Sequence, residues 1–169
     1  PWMELFFKED TEKYKFSHLS GAILFLPYGV LVDEFQHWVY ENPNATPEER
    51  KQAWRELEKV YLPHRDYDGF TYLEKGGYWQ RQGHIYSSPF YYIDYTLAQI
   101  CALQYWKRAQ ENHEEAWESY VNLCKLGGSK SFLGLVEAAG LISPFEDGCV
   151  ESVVGTIENY LDSIDDSKL

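Results

Sequence analysis

The segment Gly83-His84-Ile85-Tyr86-Ser87-Ser88-Pro89-Phe90-Tyr91-Tyr92-Ile93-Asp94-Tyr95 brings one imidazole and four phenols into a short stretch of chain. A phenol with an ordinary pKa near about 10 remains a protonated donor at neutral pH, and donors fixed in advance are what a developing oxyanion requires. If a helix starts at Pro89, Tyr91 and Tyr95 stand four residues apart and Tyr92 and Tyr95 three apart. That spacing turns a row of hydroxyls to one face, with His84 close to the helix start. The same spacing also suits tyrosines packed in a core with their hydroxyls satisfied at its boundary. The residues alone are compatible with both readings.

Other candidate sets are weaker. Glu34 and His37 have the E-x-x-H spacing of carboxylate-bridged di-iron bundles, which require a second such pair. The remaining histidines follow Lys15, Tyr61, Arg81 and Gln110 at the same offset, so no second pair exists and Glu34 and His37 read as packing or hydrogen-bonding residues. His113-Glu114-Glu115-Ala116-Trp117 begins like the zinc-peptidase H-E-x-x-H, but tryptophan stands where the second metal ligand is needed. There is no G-x-S-x-G elbow, no G-x-G-x-x-G and no phosphate loop. The expectation is that this chain contributes no metal ligand set.

The balance of charge narrows the partners. With 15 Lys and Arg against 27 Asp and Glu, the 169-residue chain carries a formal charge of −12, a field that repels phosphate backbones and anionic headgroups. With no Lys/Arg stripe to offset it locally, nucleic acid is a poor partner and none is expected. The apolar stretch from Gly21 to Val32 is shorter than the roughly 20 residues that span a bilayer, so no membrane partner is expected. Three widely spaced cysteines, Cys101, Cys124 and Cys149, form no C-x-x-C, which fits a reducing, cytoplasmic location. Aromatic residues make up 17% of the chain, more than a small core needs, so some rings are expected to face a ligand or a partner.

The elements that must position these residues read as helical throughout. Glu12 to Asn42 forms a long helix that Pro27 should kink or divide. Thr46-Pro47-Glu48-Glu49 is a capping box with proline at the first helical position, opening a helix to about Leu62. Pro63 to Gly83 is punctuated by Pro63, Gly69, Gly76 and Gly77 and reads as short helical turns and loop. Further helices are expected from Ser88-Pro89 to about Gln110, from Glu114 to Leu126 before Gly127, from Ser131 to Ala139, and from Val150 to Ser163. No run reads as a strand. The opening Pro1-Trp2-Met3-Glu4-Leu5-Phe6-Phe7 has no capping residue and reads as a helix entered partway, as in the C-terminal part of a longer protein.

The runs "HIYSSPFYYIDYTLAQICALQYW", "VDEFQHWVYENPNATPEERKQAW", "YLPHRDYDGF" and "PWMELFF" strongly resemble the zinc oligopeptidase family that includes oligoendopeptidase F and thimet oligopeptidase. The resemblance covers essentially the whole chain. It implies an all-α, irregular multi-helix bundle forming one wall of an oligopeptidase catalytic cleft, with residues 1–169 as the C-terminal portion of a peptidase catalytic domain. It implies a metalloendopeptidase acting on short peptides, with zinc in the full-length enzyme held by residues upstream and none bound by this fragment. Carried over by position, His84, Tyr92 and Tyr95 match the family's catalytic histidine and tyrosines, and Tyr86 and Tyr91 are substrate-binding candidates. The block is spaced differently here from that of the thimet-type relatives, by a one-residue gap. The partners implied are short peptides and the upstream part of the same polypeptide. A stand-alone helical module whose aromatic groove holds peptides without cleaving them is the alternative.

Overall fold

The computed structural model describes residues 2–165, and within them the chain is helical with no strand. Nine α-helices follow in order: α1 (Glu4–Phe7), α2 (Thr11–Glu41), α3 (Pro47–Tyr61), α4 (Thr71–Glu74), α5 (His84–Ser87), α6 (Ile93–Glu111), α7 (His113–Leu126), α8 (Phe132–Ala138) and α9 (Glu151–Asp162). Short 3-10 turns occupy Lys8–Asp10 and Gly77–Arg81. The expected all-α architecture is therefore the observed one. Pro1, the first residue of the opening run, lies outside the described residues.

Two expectations about helix ends need correcting. Of the kink or division expected at Pro27, division does not occur: α2 runs for 31 residues with the proline inside it. A helix-interior proline removes one intrahelical donor, and here Leu26 beside it and Leu31 one turn further on are buried. Because α2 continues through Pro27, the apolar run is longer than Gly21 to Val32, and Glu4–Glu41 is long and apolar enough by length and composition to cross a membrane. In this helix Leu31, Val32 and Phe35 are fully buried in a packed cluster, while 22% of its most apolar stretch is buried.

The second correction concerns α6, which begins at Ile93 and not at Pro89. Phe90 has φ +61°, a conformation that no helix start at Pro89 could accommodate. By contrast, α3 has the reciprocal capping box as expected: Glu49 donates its backbone N–H to the Thr46 hydroxyl, and Thr46 N donates to Glu49 Oε2 at 2.7 Å. Asn112 and Ser131 cap α7 and α8 through their side chains, and Gly127 ends α7 at positive φ.

The chain divides into two compact units. Residues 23–96 form one, built on an aromatic core in which Leu31, Val32 and Phe35 of α2 meet Ala53 and Trp54 of α3, with Leu62 and Trp79. Phe35 and Trp54 meet edge to face at 5.2 Å, and Ile85 and Tyr92 pack against the cluster from the segment that carries the candidate residues. Buried within this unit, the Glu58 carboxylate accepts from Arg55 Nη1 at 2.9 Å, Tyr67 OH at 2.5 Å and Trp54 Nε1 at 3.3 Å.

The other unit takes residues 2–22 and 97–165 of the described chain. Val136, Ala139 and Leu141 form its packed centre with Cys101, Tyr105 and Leu123. Polar side chains of α6 satisfy carbonyls that helix ends and turns leave open. Gln104 Nε2 donates to the Ile142 carbonyl at 2.9 Å while its Oε1 accepts from Ile142 N at 2.8 Å, and Arg108 Nη1 donates to the Ala139 carbonyl at 2.9 Å.

Candidate functional site

The candidate residues sit on an irregular segment whose path is set by contacts with α2 and α3. Gly76 has φ +85°, and a Cβ there would lie 1.8 Å from the Lys51 carbonyl oxygen, so only glycine lets this backbone approach α3 so closely. The 3-10 turn that follows ends at Gln82, whose backbone N–H donates to Trp79 O at 2.9 Å and whose carbonyl accepts from Ile85 N at 3.1 Å. The single turn of α5 then carries His84 and Tyr86.

Beyond α5, the chain is pinned at Phe90. Its backbone N–H donates at 2.8 Å to Oε1 of Gln36, a side chain only 1% exposed on α2. Its ring lies 4.9 Å from those of His37 and Tyr40, on the same helix. A bulky residue at positive φ costs about 1–3 kcal/mol. A buried amide acceptor and two ring contacts hold it there. Sequence reasoning missed Gln36, although a glutamine set beside Val32 and Phe35 in an apolar run is the signal of a buried polar anchor.

Four of the five expected residues come together. The His84 ring lies 5.0 Å from Tyr92, 5.7 Å from Tyr95 and 6.4 Å from Tyr91. Tyr95 lies 5.3 Å from Tyr91 and 5.5 Å from Tyr92. Tyr86 stands apart from this group and stacks on Trp79 at 5.6 Å. Tyr91 and Tyr92 precede α6, so the cluster is produced by the turn at Phe90 as well as by helical spacing.

The members differ in their surroundings. Tyr92 is half-buried against Phe25 and Tyr28, each at 5.9 Å, whereas Tyr91 and Tyr95 are exposed. Burial, and then the neighbouring Tyr95 and Tyr78, hold the Tyr92 phenol above its usual pKa. Tyr95 is also raised, by desolvation and then by its hydrogen bond with Tyr91. Both hydroxyls therefore keep their protons at neutral pH and remain donors. His37 Nε2 lies 3.4 Å from Asp33 Oδ2, and Glu34 accepts from Tyr61 OH on α3.

The start of α6 is seated on α2 at Gly29. A Cβ on Gly29 would lie 1.8 Å from Oγ1 of Thr96, a 2% exposed side chain next to Tyr95. Gly29→Ala adds about 1 kcal/mol of helix propensity. Overpacking against a stiff β-branched side chain opposes this by about 1–3 kcal/mol. The clash is the larger effect, so Gly29→Ala is expected to lower the melting temperature of the chain. A melting temperature equal to or above the parent's would mean that Thr96 has room to turn away.

A model of Peptidase family M3 matches residues 5–154. An oligoendopeptidase F homolog from Borreliella burgdorferi is 26% identical over 163 residues, which cover 92% of this chain and 27% of the relative. A crystal structure of a candidate oligoendopeptidase F superposes with a TM-score of 0.96 at 68% identity, covering 100% of this chain and 30% of that one. The structure of PZ peptidase A with an inhibitor gives 0.94 at 71% identity, covering 98% of this chain and 30% of that one. A candidate oligoendopeptidase F from Bacillus anthracis gives 0.83 at 63% identity, covering 100% of this chain and 27% of that one. The chain thus spans about 30% of the length of the solved relatives it matches.

Proposed function

The chain belongs to Peptidase family M3, and from that membership we propose that it is the part of an oligoendopeptidase that presents hydrogen-bond donors to short peptide substrates from one wall of the catalytic cleft. The observation that carries this reading is the convergence of the His84 imidazole with the phenols of Tyr91, Tyr92 and Tyr95 on an accessible surface. Attack on a peptide carbonyl moves negative charge onto its oxygen. Neutral O–H and N–H donors held in place stabilise that charge more than they stabilise the ground-state carbonyl. In this reading His84, Tyr92 and Tyr95 are catalytic residues, and Tyr86 and Tyr91 hold the substrate chain.

Among the described residues no group of three or more His, Cys, Asp or Glu side chains could hold a metal ion. These residues therefore do not fit the zinc that the family resemblance implies, and the role proposed for them is donation and positioning alone. On this reading the metal ligands belong to the part of the enzyme that the chain does not span.

The test is a chimera in which this chain replaces the matching segment of the 68%-identical relative, assayed for cleavage of a short fluorogenic peptide. The chimera is expected to cleave, and His84→Ala is expected to remove most of its turnover. A chimera whose turnover is indifferent to His84→Ala would exclude the catalytic role. Peptide binding by the 169-residue chain, with no cleavage by an active-site-competent chimera, would favour the binding module.

A further inference from the structure

We infer that Gln82, anchored by Tyr28, is a positioning residue that fixes His84 in the neutral tautomer with its proton on Nε2. This inference rests on the catalytic reading of His84 given above. Two contacts carry it, one reaching 54 residues along the sequence and one between residues two apart. Tyr28 OH donates to Gln82 Oε1 at 2.7 Å, and Gln82 Nε2 lies 2.9 Å from His84 Nδ1.

An amide has one acceptor end and one donor end, so the partner that takes one end decides what the other can offer. The Tyr28 hydroxyl is half-buried, and burial pushes its pKa well above the usual phenol value, so it keeps its proton and must place it on an acceptor. Among the described residues that acceptor is Gln82 Oε1. Turning the amide around would make Tyr28 an acceptor and leave its hydrogen without a partner in a half-buried site, at a cost of about 1–3 kcal/mol. The amide NH2 therefore faces His84, Nδ1 has to accept, and the imidazole proton is left on Nε2.

The rest of the surroundings restrain both partners. The Gln82 backbone is bonded on both sides, to Trp79 and to Ile85. Tyr28 is wedged between Tyr92 at 5.9 Å and Tyr78 at 6.4 Å, with the Arg65 guanidinium 5.8 Å over its ring. The His84 ring also lies within 6.4 Å of the rings of Tyr91, Tyr92 and Tyr95. A neutral Nε2–H is a hydrogen-bond donor, and its strength does not depend on a proton gained from solution.

Long-range proton–nitrogen correlation spectra of the 15N-labelled 169-residue chain read the tautomer directly, at a pH where the imidazole is neutral. The expected spectrum has a protonated Nε2 and a bare Nδ1. Gln82→Glu, which offers Nδ1 only an acceptor, is expected to move the proton to Nδ1, and Gln82→Leu to give a mixture of tautomers. In the chimera, Gln82→Glu is expected to lower kcat at least tenfold with KM changed less. A wild-type spectrum with the proton on Nδ1, or one unaltered by Gln82→Glu in a folded chain, overturns the assignment. An unchanged kcat with the tautomer inverted overturns the positioning role of Gln82 in turnover, because the reaction would then not depend on which nitrogen of His84 carries the proton. The catalytic reading fails separately, through His84→Ala leaving the chimera's turnover intact while the wild-type tautomer is as assigned.

Discussion

Tyr95→Phe in the chimera is expected to lower kcat by about 10²–10³ while KM changes by no more than a few-fold, the pattern of losing one oxyanion donor. The substitution removes one hydroxyl and leaves the ring that meets His84 at 5.7 Å and Tyr91 at 5.3 Å. Its structural effect is small, because Tyr95 is 42% exposed and its hydroxyl is partnered by Tyr91, an equally accessible side chain. A donor used equally in the ground and transition states would instead raise KM and spare kcat. Steady-state kinetics beside a thermal melt therefore separate three roles: reduced kcat with an unaltered melt indicates oxyanion stabilisation, raised KM indicates substrate binding, and a lowered melting temperature indicates packing. Unchanged kcat would remove Tyr95 from the reaction.

How far such residues could be recognised from sequence depended on how locally they are positioned. The start of α3 was legible because Thr46 and Glu49 satisfy each other within one turn. The start of α6 was not, because Ser88-Pro89 carries a local signal that a distant residue overrides: Gln36, 54 positions earlier, takes the N–H of Phe90 and holds it at positive φ. The phenol row nevertheless forms, since Tyr92 and Tyr95 keep their proximity whether the intervening turn is helical or not. His84 stood out as the imidazole beside the phenol row, but its match to a catalytic histidine came only through family resemblance. Its partner Gln82 carried no signal at all, because an exposed-looking Arg-Gln-Gly run says nothing about a tyrosine 54 residues away. The stacking of Tyr86 on Trp79, seven residues earlier, depends on the irregular path between them, which residue spacing does not encode. Pro27 shows the reverse case, a strong local breaker outweighed by packing on both sides.

Glu58 offers the largest expected loss of stability. Its carboxylate is 0% exposed and serves Arg55, Tyr67 and Trp54 directly, with Arg65 Nη1 3.7 Å away. Glu58→Ala is expected to lower the free energy of unfolding by about 3–5 kcal/mol, the range for breaking a buried ion pair from one side. Arg55 keeps Glu74 at 3.1 Å, so the loss comes mainly from Tyr67 OH and Trp54 Nε1 left without an acceptor, and from Arg65. Glu58→Gln retains one acceptor oxygen and the packing volume, and is expected to cost less than Glu58→Ala. Urea titrations of the two variants test this: the midpoints should fall in that order with an unchanged slope. The network also reaches the site, since Arg65 lies 4.7 Å over Tyr78 and 5.8 Å over Tyr28, the residue that anchors Gln82. Glu58→Ala should therefore broaden the His84 imidazole signals in the fraction of protein that remains folded. A stability change below about 1 kcal/mol, the size typical of a solvated surface pair, would mean that water replaces the carboxylate and that Glu58 is not the keystone of this unit.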